Sequence, residues 1–146
     1  LDYDNSILYG VPKASIKVLP KIQNTLARVI LQADKSVHSV SLLNQLHWLP
    51  VDKRIKFKIA TIAFKAASTS TPRYLSTLLH PYTPSGQHRS STQFLLQPQF
   101  SHTKFGARAF RAAAPLVWNS LPSHIKSASS LSLFKRTLKT HLFQLN

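Results

Sequence analysis

The chain predicts a mainly α-helical fold: a small helical domain, or two small helical lobes, with a short strand or hairpin near 92–105. Two observations predict it. Three stretches carry apolar residues at helical spacing. Proline, serine and threonine stand where those stretches would start and stop. The hydrophobic fraction of 43% is close to a globular average, so 146 residues can bury a core of ordinary size.

The elements follow in order. Pro12 fits the first turn of a helix running to about Ala33. Pro20 lies inside that stretch and should kink or split it, because a proline removes one helical hydrogen bond and crowds the preceding turn. A short helix over 41–47 follows, closed by Trp48, Leu49 and Pro50. The next helix, over about 51–67, has the strongest pattern. Ile55, Ile59, Ile62 and Ala66 share one face, and Phe57, Ala60 and Phe64 share nearly the opposite one. A helix apolar on two sides is central, packed from both directions. Thr71 reads as an N-cap and Pro72 as the first residue of a short helix to Leu79. Residues 81–91, with Pro81, Pro84, Ser85, Gly86, Ser90 and Ser91, read as a loop that could separate a pair of lobes. Residues 94–96 predict a short strand. The stretch 105–119 should mix helix and turn, because Pro115 interrupts it. Ser129 or Ser130 caps a final helix over 131–145, whose apolar stripe is Leu131, Phe134, Leu138, Leu142 and Leu145. The expected division is 1–80, a loop or linker at 81–91, and a helical region 92–146, with no internal repeat.

Charge says most about function. Nineteen Lys and Arg face four acids, Asp2, Asp4, Asp34 and Asp52, for a formal net charge of +15. Self-repulsion of that size opposes compactness unless a polyanion screens it. Nucleic acid is the commonest such partner and an anionic membrane the second. In the helix after Pro50, Arg54, Lys58 and Lys65 form a narrow row with Thr61 beside them. The first helix repeats the arrangement: Ile16, Leu19, Ile22, Leu26 and Ile30 spread over one side, and Lys13, Lys17, Lys21 and Arg28 gather on the other. The plain reading of such a row is a solvated edge that keeps a helix soluble. Against it, no acid of the sequence sits among the cations of the first row, and like charges four apart repel by about 0.2–0.5 kcal/mol per pair. Two such rows favour phosphate binding over simple solubility. Lys135, Arg136 and Lys139 flank the stripe of the last helix, which reads as docked on its own core, although a membrane-surface helix would look similar.

Several chemistries lack their residues. Cysteine is absent, which excludes disulfides and thiolate metal sites. The seven histidines, at 38, 47, 80, 88, 102, 124 and 141, include no pair four apart and no His-Glu-x-x-His. Two-metal phosphoryl transfer needs clustered carboxylates, and the only close pair is Asp2 and Asp4. Three glycines, Gly10, Gly86 and Gly106, make no phosphate-cradling loop, and no serine lies in a nucleophile elbow. No apolar run reaches the roughly 18 residues that span a bilayer. The start Leu1-Asp2-Tyr3-Asp4 is acidic, unlike a signal peptide, and the missing initiator Met suggests a fragment or processed product.

Leu46-His47-Trp48-Leu49-Pro50-Val51, followed by Arg54-Ile55 and Phe57-Lys58-Ile59, resembles the C-terminal region of the reverse transcriptase polyproteins of LINE-type non-LTR retrotransposons. The match also takes in Leu1-Asp2-Tyr3, Asn5-Ser6, Leu8-Tyr9-Gly10, Gln23-Asn24 and Ala27-Arg28. It continues through Pro81 to Ser85, Arg89-Ser90-Ser91, Gly106, Arg108-Ala109-Phe110 and Ala113-Ala114-Pro115. The block from Leu116 to Pro122 and the ending Ser129-Ser130-Leu131, Phe134-Lys135, Leu138-Lys139-Thr140 complete it. The resemblance spans essentially the whole chain, in order.

It implies an origin more than an activity. In such polyproteins the polymerase aspartates lie upstream of the matched region, and this chain has no Asp-Asp pair to inherit their role. The matched region is similar to the polymerase thumb and the segment after it, which makes 1–80 thumb-like. Thumb helices grip the primer–template backbone. The expectation is therefore a non-catalytic fragment of an RNA-directed DNA polymerase, intracellular and nuclear, binding RNA and DNA non-specifically and packing on polymerase palm and fingers, with no cofactor, membrane or small-molecule substrate. The expected nucleic-acid contacts are Lys13, Lys17, Lys21, Arg28, Arg54, Lys58 and Lys65. The alternatives are a helical protein-binding module and a decayed remnant. Pro20 bears on the last, since the family usually has a polar, helix-compatible residue there and an interior proline costs about 3 kcal/mol.

Overall fold

The structure, a computed structural model, describes residues 5–83 and 94–145. Within them the fold is mainly α-helical. Helix α4 (Val51–Thr69) is its axis, packed against α8 (Leu131–Gln144), α6 (Phe110–Asn119), α5 (Arg73–Ser76) and the 3-10 turn Asn5–Leu8. The two-sided apolar pattern is the reason. Ile55 and Ile59 are buried on one side and Ala60 and Phe64 on the other, with Ala63 and Ala66 closing the gaps. Phe64, Trp118 and Phe134 meet at the centre. Phe64 stacks on Phe134 with ring centroids 4.3 Å apart, and Trp118 lies 6.0 Å from Phe134. This cluster joins α4 and Leu79 to Leu96, α6, α7 (Ser123–Lys126) and α8, so residues on both sides of 84–93 share one core.

The N-terminal helix divides as its proline demands. A short α1 (Lys13–Ile16) ends at Lys17, and α2 (Val18–Leu31) begins one residue later. Pro20 thus falls in the first turn of α2. There the missing N–H would lack a partner within its own helix in any case. The interior penalty does not apply, and the argument for decay from Pro20 lapses with it. Pro12 stands just before α1, as its N-cap, rather than inside the first turn. Helix α3 (Ser39–Gln45) starts and stops two residues ahead of the span 41–47. Its end is shaped by His47, whose φ of +53 turns the chain toward α4.

Three further expectations are corrected. Pro72 is the N-cap of α5 and not its first residue, and α5 ends at Ser76, short of Leu79. Pro115 does not interrupt α6: the helix runs through it, and the ring is fully buried in the core. Ala112, Ala113 and Ala114, strong helix formers that are themselves buried, carry the helix up to Pro115. The irregular stretch lies earlier, in the 3-10 turn Gly106–Arg108. Residues 94–96 form no strand. Leu96 makes one antiparallel bridge with Pro81, with Tyr82 N–H donating to Leu95 O and Gln97 N–H to His80 O. Asn119 occupies the other side of Leu96. Its Oδ1 accepts from Leu96 N–H at 2.9 Å and its Nδ2 donates to Leu96 O at 2.8 Å. A side-chain amide stands in for a neighbouring strand, and Trp118 Nε1 holds Phe94 O at 2.9 Å beside it. Ser130 caps α8, its Oγ accepting from Leu133 N–H at 3.2 Å. The loop expected over 81–91 lies outside the described residues from 84 onward.

The largest departure concerns α2. Its expected inner face is on the surface: Ile22, Leu26 and Ile30 are 43%, 47% and 54% exposed. The helix is rotated so that Gln23 and Ala27 are its buried residues. Ala27 packs on Leu42 and Leu43 of α3 in a second small cluster, with Leu31, Leu46 and Trp48 around it. The small Ala27 side chain lets the two helices approach closely. Gln23 ties the pair to the turn before α4, its Nε2 donating to Leu49 O at 2.8 Å.

Candidate nucleic-acid interface

The seven expected cations do not form one surface. Lys13, Lys17 and Lys21 are exposed along α1 and α2, with the helix break between Lys13 and Lys21. Arg28, expected in line with them, folds back instead. Its Nη2 donates to Val37 O at 3.3 Å and its Nη1 to Asn24 O at 3.5 Å. A guanidinium in the last turn of a helix can satisfy nearby carbonyls, and that is its use here. Lys65 is exposed on α4, two turns beyond Lys58. Thr61, expected beside the row, turns its hydroxyl inward to donate to Phe57 O at 2.7 Å.

Arg54 and Lys58 are brought together with groups from elsewhere. They line a cavity of about 330 Å³ with Asn5, His47, Leu49, Phe57 and Lys139. Helix α4 supplies Arg54, Phe57 and Lys58, all half-buried, and α8 supplies Lys139. The turn before α4 supplies His47, aimed by its left-handed backbone. No carboxylate of a described residue lines the cavity. The α4–α8 packing explains the convergence: Phe134, Leu138 and Leu142 bury one side of α8, which leaves Lys139 at the edge facing α4. Lys139 also leans over the Phe143 ring, 5.9 Å from its centroid.

Asn5, from the 3-10 turn, also lines the cavity. It is 8% exposed, and its Oδ1 is buried without a hydrogen-bond partner among the described residues. A smaller cavity of about 160 Å³, between α2 and α4, shares Asn5 and Arg54 and adds Trp48, Leu19 and Gln23. Sequence periodicity had no means of finding His47, Lys139 or Asn5. Each comes from a different element, and only tertiary packing sets them around one space. The Leu46-to-Val51 motif did mark the neighbourhood, since His47 and Leu49 belong to it.

Among the described residues no group of three or more metal-ligating side chains converges, and no helix is long and apolar enough to cross a membrane. No protein-family model, curated protein or solved structure matches the chain.

Proposed function

We propose that the chain binds the phosphate backbone of nucleic acid without catalysis of its own, as the C-terminal, thumb and post-thumb region of a retrotransposon RNA-directed DNA polymerase. The observation that carries this is the convergence of Arg54, Lys58, Lys139 and His47 on one cavity in a chain of net charge +15. Four groups able to carry positive charge, drawn from three elements, suit a polyanion better than they suit solubility alone, which scattered lysines already provide. Lys13, Lys17, Lys21 and Lys65 extend the positive surface, and the palm and fingers of the parent polyprotein are the expected protein partners.

Salt dependence tests it. Binding to a duplex should weaken with salt at a log–log slope of about −0.9 per phosphate contact. The double substitution Lys58→Gln with Lys139→Gln should flatten that slope by up to about two units with helicity unchanged. An unchanged slope and affinity would reject the assignment of these residues.

A second reading, a protein-binding module, is favoured by one specific observation. Val18, Ile22, Leu26, Val29 and Ile30 form an apolar band on α2 that nothing among the described residues covers. A salt-tolerant complex with another protein, lost on Ile22→Glu, would support this reading over the first.

A further inference from the structure

We propose that the cavity between the two 3-10 turns, Asn5–Leu8 and Gly106–Arg108, seats an unpaired nucleobase of a single strand, stacked on Phe105; the proposal rests on the backbone-binding reading and extends it from phosphate to base. The cavity holds about 520 Å³, within the range of roughly 300–1,000 Å³ for small-ligand sites. Its floor is apolar, made by the core residues Ile59 and Ala113, and Arg108 brings the one formal charge among the described residues that line it. Phe105 lines it too, yet is 83% exposed, so its ring stands at the rim with most of its surface in water.

The turn that carries this ring is tied by hydrogen bonds. Ser101 Oγ accepts from Thr103 N–H at 3.4 Å, Thr103 Oγ1 from Gly106 N–H at 2.9 Å, and Thr103 O from Ala107 N–H at 3.0 Å. Gly106, without a side chain, leaves room for both hydroxyls. The backbone is thus fixed on both sides of Phe105 while the side chain stays in solvent. A large apolar ring held in water forgoes the stabilisation of burial, which a flat apolar partner restores. A nucleobase is such a partner, because every base has a π-face and stacking on aromatic side chains tolerates any sequence. Charge favours nucleic acid over an apolar protein segment: Lys104 precedes Phe105, Arg108 follows within the turn, and no described acid lines the cavity. The cationic cavity and this one draw on the same elements. Asn5 and Lys58 line the first, and the residues next to them in the chain, Ser6 and Ile59, line the second. A strand whose phosphates meet Lys58 can therefore seat one of its bases at Phe105. The cations set affinity for the backbone, and Phe105 adds a preference for strands whose bases are free.

The experiment measures binding of the full chain, by fluorescence anisotropy at fixed moderate salt, to three DNA probes. They are a thymine single strand, an abasic strand of the same length with the same phosphates, and a blunt duplex. The thymine strand should bind tighter than the abasic one by about five- to a hundredfold, the worth of one stacked base. Phe105→Leu keeps apolar bulk, removes the aromatic face and, at so exposed a position, leaves the fold intact. It should bring the thymine strand to the abasic affinity and leave abasic and duplex binding unchanged, whereas Phe105→Trp should keep the preference. Lys58→Gln should weaken all three probes. Equal binding of the thymine and abasic strands, the outcome expected of a surface for apolar protein segments, overturns the base site; if salt-sensitive affinity is intact, the backbone-binding reading is spared. A thymine preference that survives Phe105→Leu puts the stacking elsewhere and overturns the role of Phe105. No binding to any probe sinks both readings.

Discussion

His141, on α8, is held below the ordinary histidine pKa, first by desolvation and then by the charges of His124 and Lys53. A lowered folded value means that the folded chain prefers His141 neutral. Above the unfolded pKa of about 6.5 both states are neutral there, and the contribution to stability is fully present. As the pH falls below that value the unfolded chain takes up the proton more readily than the folded one, and stability is lost until the lower folded pKa is passed. His141→Gln should therefore lose less of its melting temperature between pH 7.5 and 5.5 than the unaltered chain. A drop of equal size in both would remove His141 from the account. Single residues were also where the sequence was hardest to read. Arg28 has the spacing of a surface cation, but the carbonyls of Asn24 and Val37 lie within its reach only after α2 and the following loop have folded. Gln23 looks like a break in an apolar face and is instead the polar anchor of α2, because Leu49 O is buried opposite it.

Among the elements, α4 and α8 were legible and α2 was not, and the difference is physical. Both legible helices put their apolar periodicity against the chain's own core, so pattern and burial coincide. Helix α2 has an equally plain apolar face, but it packs on α3 through Ala27 and leaves much of that face in solvent. Periodicity reports what a helix could bury and cannot report whether the surface that would bury it belongs to the same chain. The two faces differ sharply in their tolerance of change. Val29 is 69% exposed, so Val29→Lys should alter unfolding free energy by no more than about 0.5 kcal/mol. Ala27 is fully buried, and Ala27→Lys forces a charge and a long stem between α2 and α3, at a cost of about 3 kcal/mol or more. Denaturant midpoints of the two variants measure the contrast, and comparable losses would mean that α2 packs the other way round. Pro20 and Pro115 show how position decides what a proline does: the first begins a helix, and the second is absorbed by a buried run of alanines.

For the whole molecule the governing quantity is charge. With nineteen cations against four acids, folding brings like charges closer than the unfolded chain holds them. Salt screens that repulsion over a length of about 10 Å at 0.1 M. The melting temperature should therefore rise as sodium chloride is raised from low to moderate concentration, the opposite of what a fold stabilised by surface ion pairs would show. Scanning calorimetry across that range decides it, and a falling midpoint would contradict the self-repulsion argument. The sequence made this global property plain, along with the helical class. It could not show that the core draws on both sides of residues 84–93, because that pairing depends on Trp118 and Phe134 reaching across to Phe64 and on the bridge between Pro81 and Leu96.

That same reach gives the molecule an optical consequence. Its two indoles report on different events. Trp118 is 1% exposed, packed against Phe64 and Phe134, so its emission is blue and follows the integrity of the core alone. Trp48 is half-buried in the wall of the cavity that shares Asn5 and Arg54 with the cationic site, where solvent and quenchers can approach it. With either tryptophan replaced by phenylalanine, the remaining one becomes a single-colour lamp: Trp118 for unfolding, Trp48 for whatever changes in the cavity wall beside it. The chain carries, without any added dye, one indicator of whether it is folded and another that tests whether nucleic acid occupies the proposed site.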